Sequence, residues 1–187
     1  IWLKQHFENP SVVIGHDCRF AGELFMHTAA AVLVQQGIKV YIAQGFVSTP
    51  MISLATVELK TSAGIIITAS HNPPSYNGFK IKADFGGPAI PSVIAAIEDL
   101  IPDTFNQATL SVADYEKQGL IAYVDMEEMY FKHVEKSFDL DAIKNSDLNL
   151  FEELHQQNRR LEGRIISFDF NPNTAPAAPK EYLLQPR

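Results

Sequence analysis

Short apolar runs alternate with longer stretches of mixed polarity along the first 70 residues of the chain. Three of these runs have the length of buried strands: residues 11–15, 38–42 and 65–67. The stretches between them predict helices at 21–36 and 49–59, and Gly37 stands where a C′ glycine ends a helix. Thr49 fits an N-cap and Pro50 fits N1. The resulting two β-α-β units imply a parallel sheet with right-handed crossovers.

The α/β pattern continues through residue 144. Residues 79–82 alternate as a returning strand, and residues 120–124 predict a further strand at a sheet edge. Residues 2–7 resemble the end of a helix. Further helices are predicted at 91–101, 111–117, 126–138 and 140–144. The fold class is therefore α/β, with a mainly parallel β-sheet layered with helices and an incomplete second α/β domain after it.

Two of the predicted helices carry a recognisable stripe of side chains. On the helix at 21–36, five residues follow helical spacing: Leu24, Thr28, Ala31, Val32 and Gln35. The helix at 126–138 carries a methionine and aromatic stripe formed by Met129, Tyr130, His133, Val134 and Phe138. Such a stripe is far more often part of a core than a ligand site, so we expect it to be buried.

The polar residues Asn145, Ser146 and Asp147 predict a domain boundary. The first domain then spans residues 1–146 and the start of a second spans 147–187. In that second part, residues 148–150 and 165–170 predict strands and residues 151–161 predict a helix. The remainder is expected to be a loop or linker.

Composition places the chain among ordinary globular proteins. Apolar residues make up 46% of its 187 positions and charged residues 20%. A formal net charge of −7 without a basic run argues against nucleic acid or an anionic membrane as partner. The single cysteine, Cys18, excludes an internal disulfide framework and fits the cytoplasm, and no signal peptide or membrane-length apolar run is present. Because the sequence begins at Ile1 rather than Met, we expect a processed chain, a fragment or only part of the protein.

In a parallel sheet all strands point the same way, so the loops that follow them share one edge. Three polar loops follow the predicted strands, at residues 16–19, 48–49 and 70–72. We expect them to converge on one crevice. An anionic substrate bound there would need a local cluster of cations, because the chain as a whole is acidic.

The loop after the third strand carries the strongest chemical signal. Ser70, His71 and Asn72 follow a buried apolar run, and two consecutive prolines then exclude a helix. Asn77-Gly78 predicts a turn that tolerates positive φ, after which Lys80 returns toward the loop. A hydroxyl is thus placed on a stiff loop at a strand end, with a lysine brought back toward it.

Two common interpretations of this serine fail. No glycine flanks Ser70 at the spacing of a nucleophile elbow. No G-x-x-x-x-G-K-[ST] occurs in the chain, which excludes a P-loop. A proline-rich turn with a capping serine would be favoured for an arbitrary Ser-His-Asn, so the argument depends on the longer string.

That string, Thr68-Ala69-Ser70-His71-Asn72-Pro73-Pro74 followed by Asn77-Gly78-Phe79-Lys80, resembles the phosphoserine loop of the α-D-phosphohexomutases, the phosphoglucomutase/phosphomannomutase family. The resemblance spans about twenty residues in register, which makes it specific. It implies that residues 1–146 are the N-terminal phosphoserine domain of this family and that 147–187 begin its second domain.

The resemblance also implies a role for each matching residue. Ser70 would carry a phosphoryl group in the resting enzyme, and Lys80 would bind phosphate and act as general acid/base. Arg19 matches the arginine of a G-x-D-x-R segment, a phosphate and proton-transfer partner, while His71 and Asn72 would shape the loop and bind phosphate.

Two neighbours of these residues have plainer interpretations. Asp17, at a strand end, is as often a turn residue as a site residue. Lys82 lies two positions after Lys80 and hence on the same strand face, where we expect a solvated lysine.

The reaction implied is the reversible interconversion of hexose 1-phosphate and hexose 6-phosphate, of glucose or mannose, through a 1,6-bisphosphate. Family members use Mg²⁺, bound by the phosphoserine and by an aspartate-rich loop of the second domain, and glucose 1,6-bisphosphate is the expected activator. The enzyme class is an intramolecular phosphotransferase, with sugar phosphates and the remaining domains of the same enzyme as partners.

Parts of the family pattern have no counterpart in this sequence. Full members have four domains, and no Asp-Gly-Asp metal loop, third-domain sugar loop or fourth-domain phosphate loop is found here. The chain alone is therefore expected to be inactive. A phosphoglucosamine mutase and a non-catalytic phosphosugar-binding paralogue are the alternative functions, although a binding module needs neither Ser70 nor Lys80.

Overall fold

The computed structural model describes residues 1–104 and 112–145. The strands are β1 (Ser11–His16), β2 (Lys39–Ala43), β3 (Ala63–Ile67), β4 (Phe79–Ala83) and β5 (Ile121–Val124). The helices are α1 (Trp2–His6), α2 (Gly22–Gln35), α3 (Thr49–Glu58), α4 (Pro91–Glu98), α5 (Val112–Lys117), α6 (Met126–Ser137) and α7 (Leu140–Lys144). Ile1–Phe138 form the first compact unit of the chain.

Several predictions concern residues outside the described parts of the chain. These are the first residue of the helix predicted at 111–117, the elements at 148–150, 151–161 and 165–170, and the linker after them. The domain boundary between residues 146 and 147 and the second α/β domain stay predictions.

The five strands form one sheet in the order β4-β3-β1-β2-β5. The pairs β1–β2, β1–β3 and β2–β5 are parallel, and β3–β4 is antiparallel. The predicted mainly parallel α/β sheet is confirmed, with 120–124 at one edge and the returning strand at the other. Two crossovers through α2 and α3 place the carboxyl ends of β1, β2 and β3 at one edge of the sheet.

Helices cover the sheet on both faces, because alternate residues of each strand point to opposite sides. Val12 and Ile14 of β1 belong to a core cluster that includes the α2 residue Met26. Val13, between them in sequence, joins a second cluster with Ile52 of α3 and Met126 of α6. Both faces of the central strand are therefore buried, which explains its continuous apolar sequence.

The buried face of α2 differs from the predicted one. Its buried residues are Gly22, Met26, Ala30 and Val34. The predicted stripe began at Leu24, which is 65% exposed. The helix carries apolar side chains around most of its circumference, so spacing alone did not determine which side meets the sheet.

The predicted helix ends need small corrections. The N-cap of α3 is Ser48 rather than Thr49, and Pro50 is the second helical residue. The end of α2 is as predicted: Gly37 has φ +75° and its amide donates to the Val34 carbonyl oxygen (2.9 Å), which satisfies one of the last carbonyls of the helix.

Two further helices depart from expectation. α4 ends at Glu98 instead of residue 101, and Ile101 is exposed. On α6 the only fully buried residue is Met126, which lies outside the predicted stripe. Met129 of the stripe is partly buried against the core, while His133 and Phe138 are exposed. Within the described residues, no helix is both long enough and apolar enough to cross a membrane.

Candidate phosphoserine site

The loops that follow β1 and β3 meet at the carboxyl edge of the sheet. The amide of Asp17 donates to the carbonyl oxygen of Ile67 (3.1 Å), which extends the pairing of the two strands by one residue. Beyond it, the side chain of Arg19 donates to the carbonyl oxygens of Ser70 (2.8 Å) and Asn72 (2.6 Å). The predicted convergence of residues 16–19 with residues 70–72 is present.

The loop after β2 reaches the same edge through different residues from those predicted. The Val47 amide donates to the His16 carbonyl oxygen (2.9 Å), and the Phe46 ring packs edge-on against the His16 ring, with centroids 5.4 Å apart. The contact to the β1 loop is thus made by residues 46 and 47, which directly precede the predicted Ser48-Thr49.

Ser70 sits at the top of its loop with an exposed side chain and a left-handed backbone, φ +58°. That conformation costs a residue with a Cβ about 1–2 kcal/mol, so surrounding contacts must hold it. One such contact is the hydrogen bond from the Ser70 amide to Oγ1 of Thr68 (3.0 Å). The positive φ predicted for the turn at Asn77-Gly78 is instead found at the serine.

Gly78 stands at a position that has no room for a side chain. A Cβ at this position would lie 2.8 Å from the carbonyl oxygen of Thr68, a backbone atom that cannot turn aside. The Thr68 amide in turn donates to the Gly78 carbonyl oxygen (2.9 Å), so the β3–β4 ladder continues to the base of the Ser70 loop. Only glycine lets the two strands approach this closely here.

Arg19 is held under the loop, with its side chain only 14% exposed. Nη1 donates to the carbonyl oxygens of Pro73 (2.8 Å) and Tyr76 (3.1 Å), and Nη2 donates to those of residues 70 and 72. Nε lies 3.3 Å from Oδ2 of Asp17. Because each Nη carries two N–H groups, these four hydrogen bonds use all of them.

Thr68 and Asp17 link the two loops from below. The Thr68 hydroxyl donates to Oδ2 of Asp17 (2.5 Å), and Oδ1 of Asp17 accepts from the Arg19 amide (2.9 Å). Thr68 is 4% exposed. Sequence reasoning gave Thr68 no role, although a polar residue directly after three buried isoleucines could have marked it, because a buried hydroxyl needs a partner.

Asn72 and His71 differ in their surroundings. The Asn72 side-chain amide donates to the Ala69 carbonyl oxygen (2.8 Å), and its backbone amide approaches the same oxygen at 3.1 Å. Asn72 therefore closes the turn that carries Ser70. His71 is exposed beside the serine.

Lys80 lies on β4 opposite Ile66, next to the carboxyl end of β3. Its side chain is exposed, and within residues 1–104 and 112–145 no hydrogen bond or ion pair engages the ammonium group. A cation without a protein partner at this position is available to an anion held near the loop.

Lys82 is partly buried, whereas the sequence predicted a solvated lysine. It lies opposite Gly64, one pleat period from Lys80, and lines an apolar cavity of about 430 Å³ with Ile81 and Phe85. Burial, and to a smaller extent the charge of Lys80, lowers the pKa of Lys82.

Among the described residues, no group of three or more His, Cys, Asp or Glu side chains could hold a metal ion. A magnesium ion at this edge would therefore need further ligands, such as phosphate oxygens or water. The site as described offers an exposed hydroxyl, an ammonium group without a partner among the described residues, and a loop cross-linked by hydrogen bonds between them.

The chain is similar to known sugar-phosphate mutases. The family model "Phosphoglucomutase/phosphomannomutase, alpha/beta/alpha domain I" matches residues 1–108. A phosphoglucomutase of Staphylococcus epidermidis is 35% identical over 176 residues, covering 91% of this chain and 32% of the relative. A phosphoribomutase of Saccharomyces cerevisiae is 35% identical over 149 residues, covering 73% of this chain and 24% of the relative.

A solved structure agrees with these relatives. A protein of Thermus thermophilus assigned as a phosphomannomutase superposes with a TM-score of 0.66 at 35% identity, covering 75% of this chain and 30% of that one. The chain spans a third or less of the length of the curated relatives it matches.

Proposed function

Since the chain belongs to the phosphoglucomutase/phosphomannomutase family, we propose that it is the nucleophile-bearing N-terminal part of a phosphohexomutase. The enzyme would interconvert hexose 1-phosphate and hexose 6-phosphate of glucose or mannose. The observation that carries the proposal is Ser70, whose side chain is exposed at the carboxyl edge of the sheet and whose own backbone is held in a left-handed conformation. Residues held in sparsely populated backbone conformations cluster at functional sites.

In this proposal the Ser70 oxygen carries a phosphoryl group in the resting enzyme. The group passes to the free hydroxyl of a hexose 1-phosphate, the Ser70–phosphate bond breaks, and a 1,6-bisphosphate forms. The bisphosphate turns over in the site and returns its other phosphoryl group to Ser70, leaving hexose 6-phosphate. Catalysis of such a transfer depends mostly on positioning and on neutralising charge.

Lys80 is proposed as the phosphate-binding general acid/base. The exposed side chain of Lys80 would, as the neutral amine, accept the proton of the attacking sugar hydroxyl, and the resulting ammonium group would return that proton to the leaving Ser70 oxygen. Its positive charge also offsets the charge of phosphoserine, which is near −2.

The remaining predicted residues surround the serine. His71, exposed beside Ser70, is proposed to bind phosphate, whereas the Asn72 side chain donates to the loop itself at Ala69. The predicted role of Arg19 in binding phosphate and moving a proton would require at least one of its N–H groups to leave a protein oxygen.

Magnesium, predicted from the family resemblance, would be bound by the Ser70 phosphate together with residues outside the described part of the chain. The described His, Cys, Asp and Glu side chains do not form such a site. When bound, the ion would neutralise charge on the transferred group. Mg²⁺ dependence is a proposal for the longer enzyme.

The same proposal covers partners and place of action. Sugar phosphates would be the substrates, glucose 1,6-bisphosphate the activator, and further domains of the same enzyme would complete the site. The relatives are about three or more times longer than this chain, which supports that view. A cytoplasmic location is part of the proposal and rests on the single cysteine.

A phosphopentomutase activity is the second candidate, and the match to a yeast phosphoribomutase over 73% of the chain favours it specifically. The chemistry at Ser70 would be the same, with ribose 1-phosphate and ribose 5-phosphate as substrates. The ratio of kcat/KM for the hexose and the pentose distinguishes the two.

The decisive experiment is phosphopeptide mapping of the longest natural form of the protein, before and after incubation with glucose 1,6-bisphosphate. We expect one phosphate on Ser70 that is lost to added hexose 1-phosphate. Ser70→Ala should abolish mutase activity and labelling while leaving the fold intact. Ser75→Ala, an exposed serine of the same loop, is the matched control. Near-normal activity in Ser70→Ala, or a Ser70 that never labels with Mg²⁺ present, would contradict the proposal and favour a binding paralogue.

A further inference from the structure

The hydrogen bonds around Ser70 form a closed ring through two loops. The Ser70 amide donates to Thr68, Thr68 donates to Asp17, Asp17 pairs with Arg19, and Arg19 donates back to the Ser70 carbonyl oxygen. We propose that Asp17, Arg19 and Thr68 are positioning residues, which set the orientation of the Ser70 side chain for phosphoryl transfer without touching the substrate. This inference rests on the proposed function.

Every N–H group of the Arg19 guanidinium faces a protein oxygen. Its four Nη hydrogens point to four carbonyl oxygens of the loop, and Nε faces the Asp17 carboxylate. With 14% of the side chain exposed, the group lies beneath the loop rather than in the crevice. Its positive charge is also paired with the nearby carboxylate. Arg19 therefore acts on Ser70 through the backbone.

The four bonded carbonyl oxygens explain why an arginine stands here. They belong to Ser70, Asn72, Pro73 and Tyr76. A run of prolines and turn residues cannot satisfy these acceptors with a regular ladder. A planar group with fixed donors binds all four and fixes their relative positions, whereas the single flexible ammonium of a lysine cannot.

Thr68 binds the N–H of Ser70, whereas Arg19 binds its carbonyl oxygen. Its buried hydroxyl accepts from the Ser70 amide and donates to Asp17, so both of its hydrogen-bonding functions are used. The Ser70 peptide is thus held at its N–H by Thr68 and at its C=O by Arg19. Fixing both ends selects the left-handed φ of +58° and with it the direction of the side chain.

A positioning role has a distinct kinetic signature. Misplacing a reacting group by about 1 Å costs about 100-fold in rate. Substrate binding, which depends on other groups, is not expected to change. Loss of the ring should therefore lower kcat and leave KM near its original value.

Four single variants of the longest natural form of the protein test this, together with the double variant Thr68→Val/Arg19→Lys. Thr68→Val removes the hydroxyl at nearly constant volume, and Thr68→Ser keeps it. Arg19→Lys keeps the charge and loses the fork of donors. Thr56→Val is the matched control, because Thr56 is buried like Thr68 but its hydroxyl donates only to the Ile52 carbonyl oxygen of its own helix (2.7 Å).

We expect kcat to fall about 100-fold in Thr68→Val and in Arg19→Lys, with KM for hexose 1-phosphate within about twofold of wild type. Thr68→Ser should recover most of the loss. The double variant should be no slower than the slower single one, since both changes release the same loop. The proposal is overturned if kcat falls less than about threefold in either single variant, or if KM changes instead of kcat. It is also overturned if the two losses in kcat add in the double variant, or if Thr68→Ser does not recover kcat.

Amide hydrogen exchange gives a readout that does not require mutase activity. The Ser70 amide should exchange faster in Thr68→Val and in Arg19→Lys than in wild type. Its exchange rate in Thr56→Val should equal that of wild type. If wild type shows neither labelling of Ser70 nor turnover, the proposed function fails, and exchange alone then decides whether the ring holds the loop. Unchanged exchange in both variants refutes the ring whatever the activity.

Discussion

The guanidinium of Arg19 donates to the carbonyl oxygen of Ser70 at 2.8 Å, although 51 positions separate the two residues in sequence. Arg19 follows β1 and Ser70 follows β3, and these strands are direct neighbours in the sheet. The parallel pairing is therefore what brings a cation beneath the loop of the proposed nucleophile.

Lys80→Met should lower mutase activity by about 100-fold or more, the usual contribution of a general acid/base. Since the side chain is exposed and forms no ion pair among the described residues, thermal stability should remain near that of wild type. Steady-state kinetics with the longest natural form of the protein measures the loss. Lys82→Met, on the same strand face, is the control and should retain activity; equal losses in both variants would argue against a specific role for Lys80.

Gly78→Ala should destabilise the fold by about 1–3 kcal/mol, as overpacking does, because the new Cβ meets the Thr68 carbonyl oxygen. It should also lower kcat, since Thr68 contacts the Ser70 amide. Urea unfolding and steady-state kinetics measure the two effects. Ser75→Ala, on the exposed part of the same loop, should change neither. Full stability in Gly78→Ala would mean that the two strands separate more easily here than their contact suggests.

Met26→Ala and Leu24→Ala form a matched pair on α2. Met26 is 3% exposed and packs in the core, so its truncation should cost about 2–5 kcal/mol. Leu24 is 65% exposed, and its truncation should stay within about 0.5 kcal/mol. Urea denaturation of both variants measures the difference. The reverse order of stabilities would restore the face predicted from sequence spacing.

Lys82→Met should stabilise the fold near neutral pH. Burial, followed by the charge of Lys80, lowers the pKa of Lys82, so the folded protein binds this proton less tightly than the unfolded chain does. In wild type, stability therefore rises as the pH increases from the folded pKa to that of an unfolded lysine. The variant should lack this rise.

Urea unfolding at about pH 7 and about pH 10 measures this pH dependence. Lys60→Met, at an exposed position, is the control and should keep the wild-type dependence. A parallel change in wild type and in Lys82→Met would exclude Lys82 as its source.

The mainly parallel sheet and the location of the site could be predicted from the sequence because both depend on local signals. Apolar runs of strand length alternate with helical stretches, and that alternation is enough to imply a parallel sheet. From it follows the edge at which residues 16–19 and 70–72 meet. The string from Thr68 to Lys80 then indicated the family, and the family model matching residues 1–108 agrees.

Predictions from the sequence were wrong where burial of a side chain depends on how neighbouring elements pack against it. Both faces of α2 carry apolar side chains, so only packing against the sheet decided that Met26 is buried and Leu24 exposed. Lys82 alternates like Lys80, yet an apolar cavity beside it makes it only partly solvated. Neither result follows from the spacing of residues along the chain.

The sequence by itself determined that a serine stands at the carboxyl end of a buried strand, followed by a lysine on the returning strand. Only the tertiary structure decided how that serine is held. The left-handed backbone of Ser70, the buried hydroxyl of Thr68 and the four carbonyl oxygens bound by Arg19 depend on atoms from two distant loops. Hydrogen bonds are short and directional, so such partners are defined only once the strands have paired.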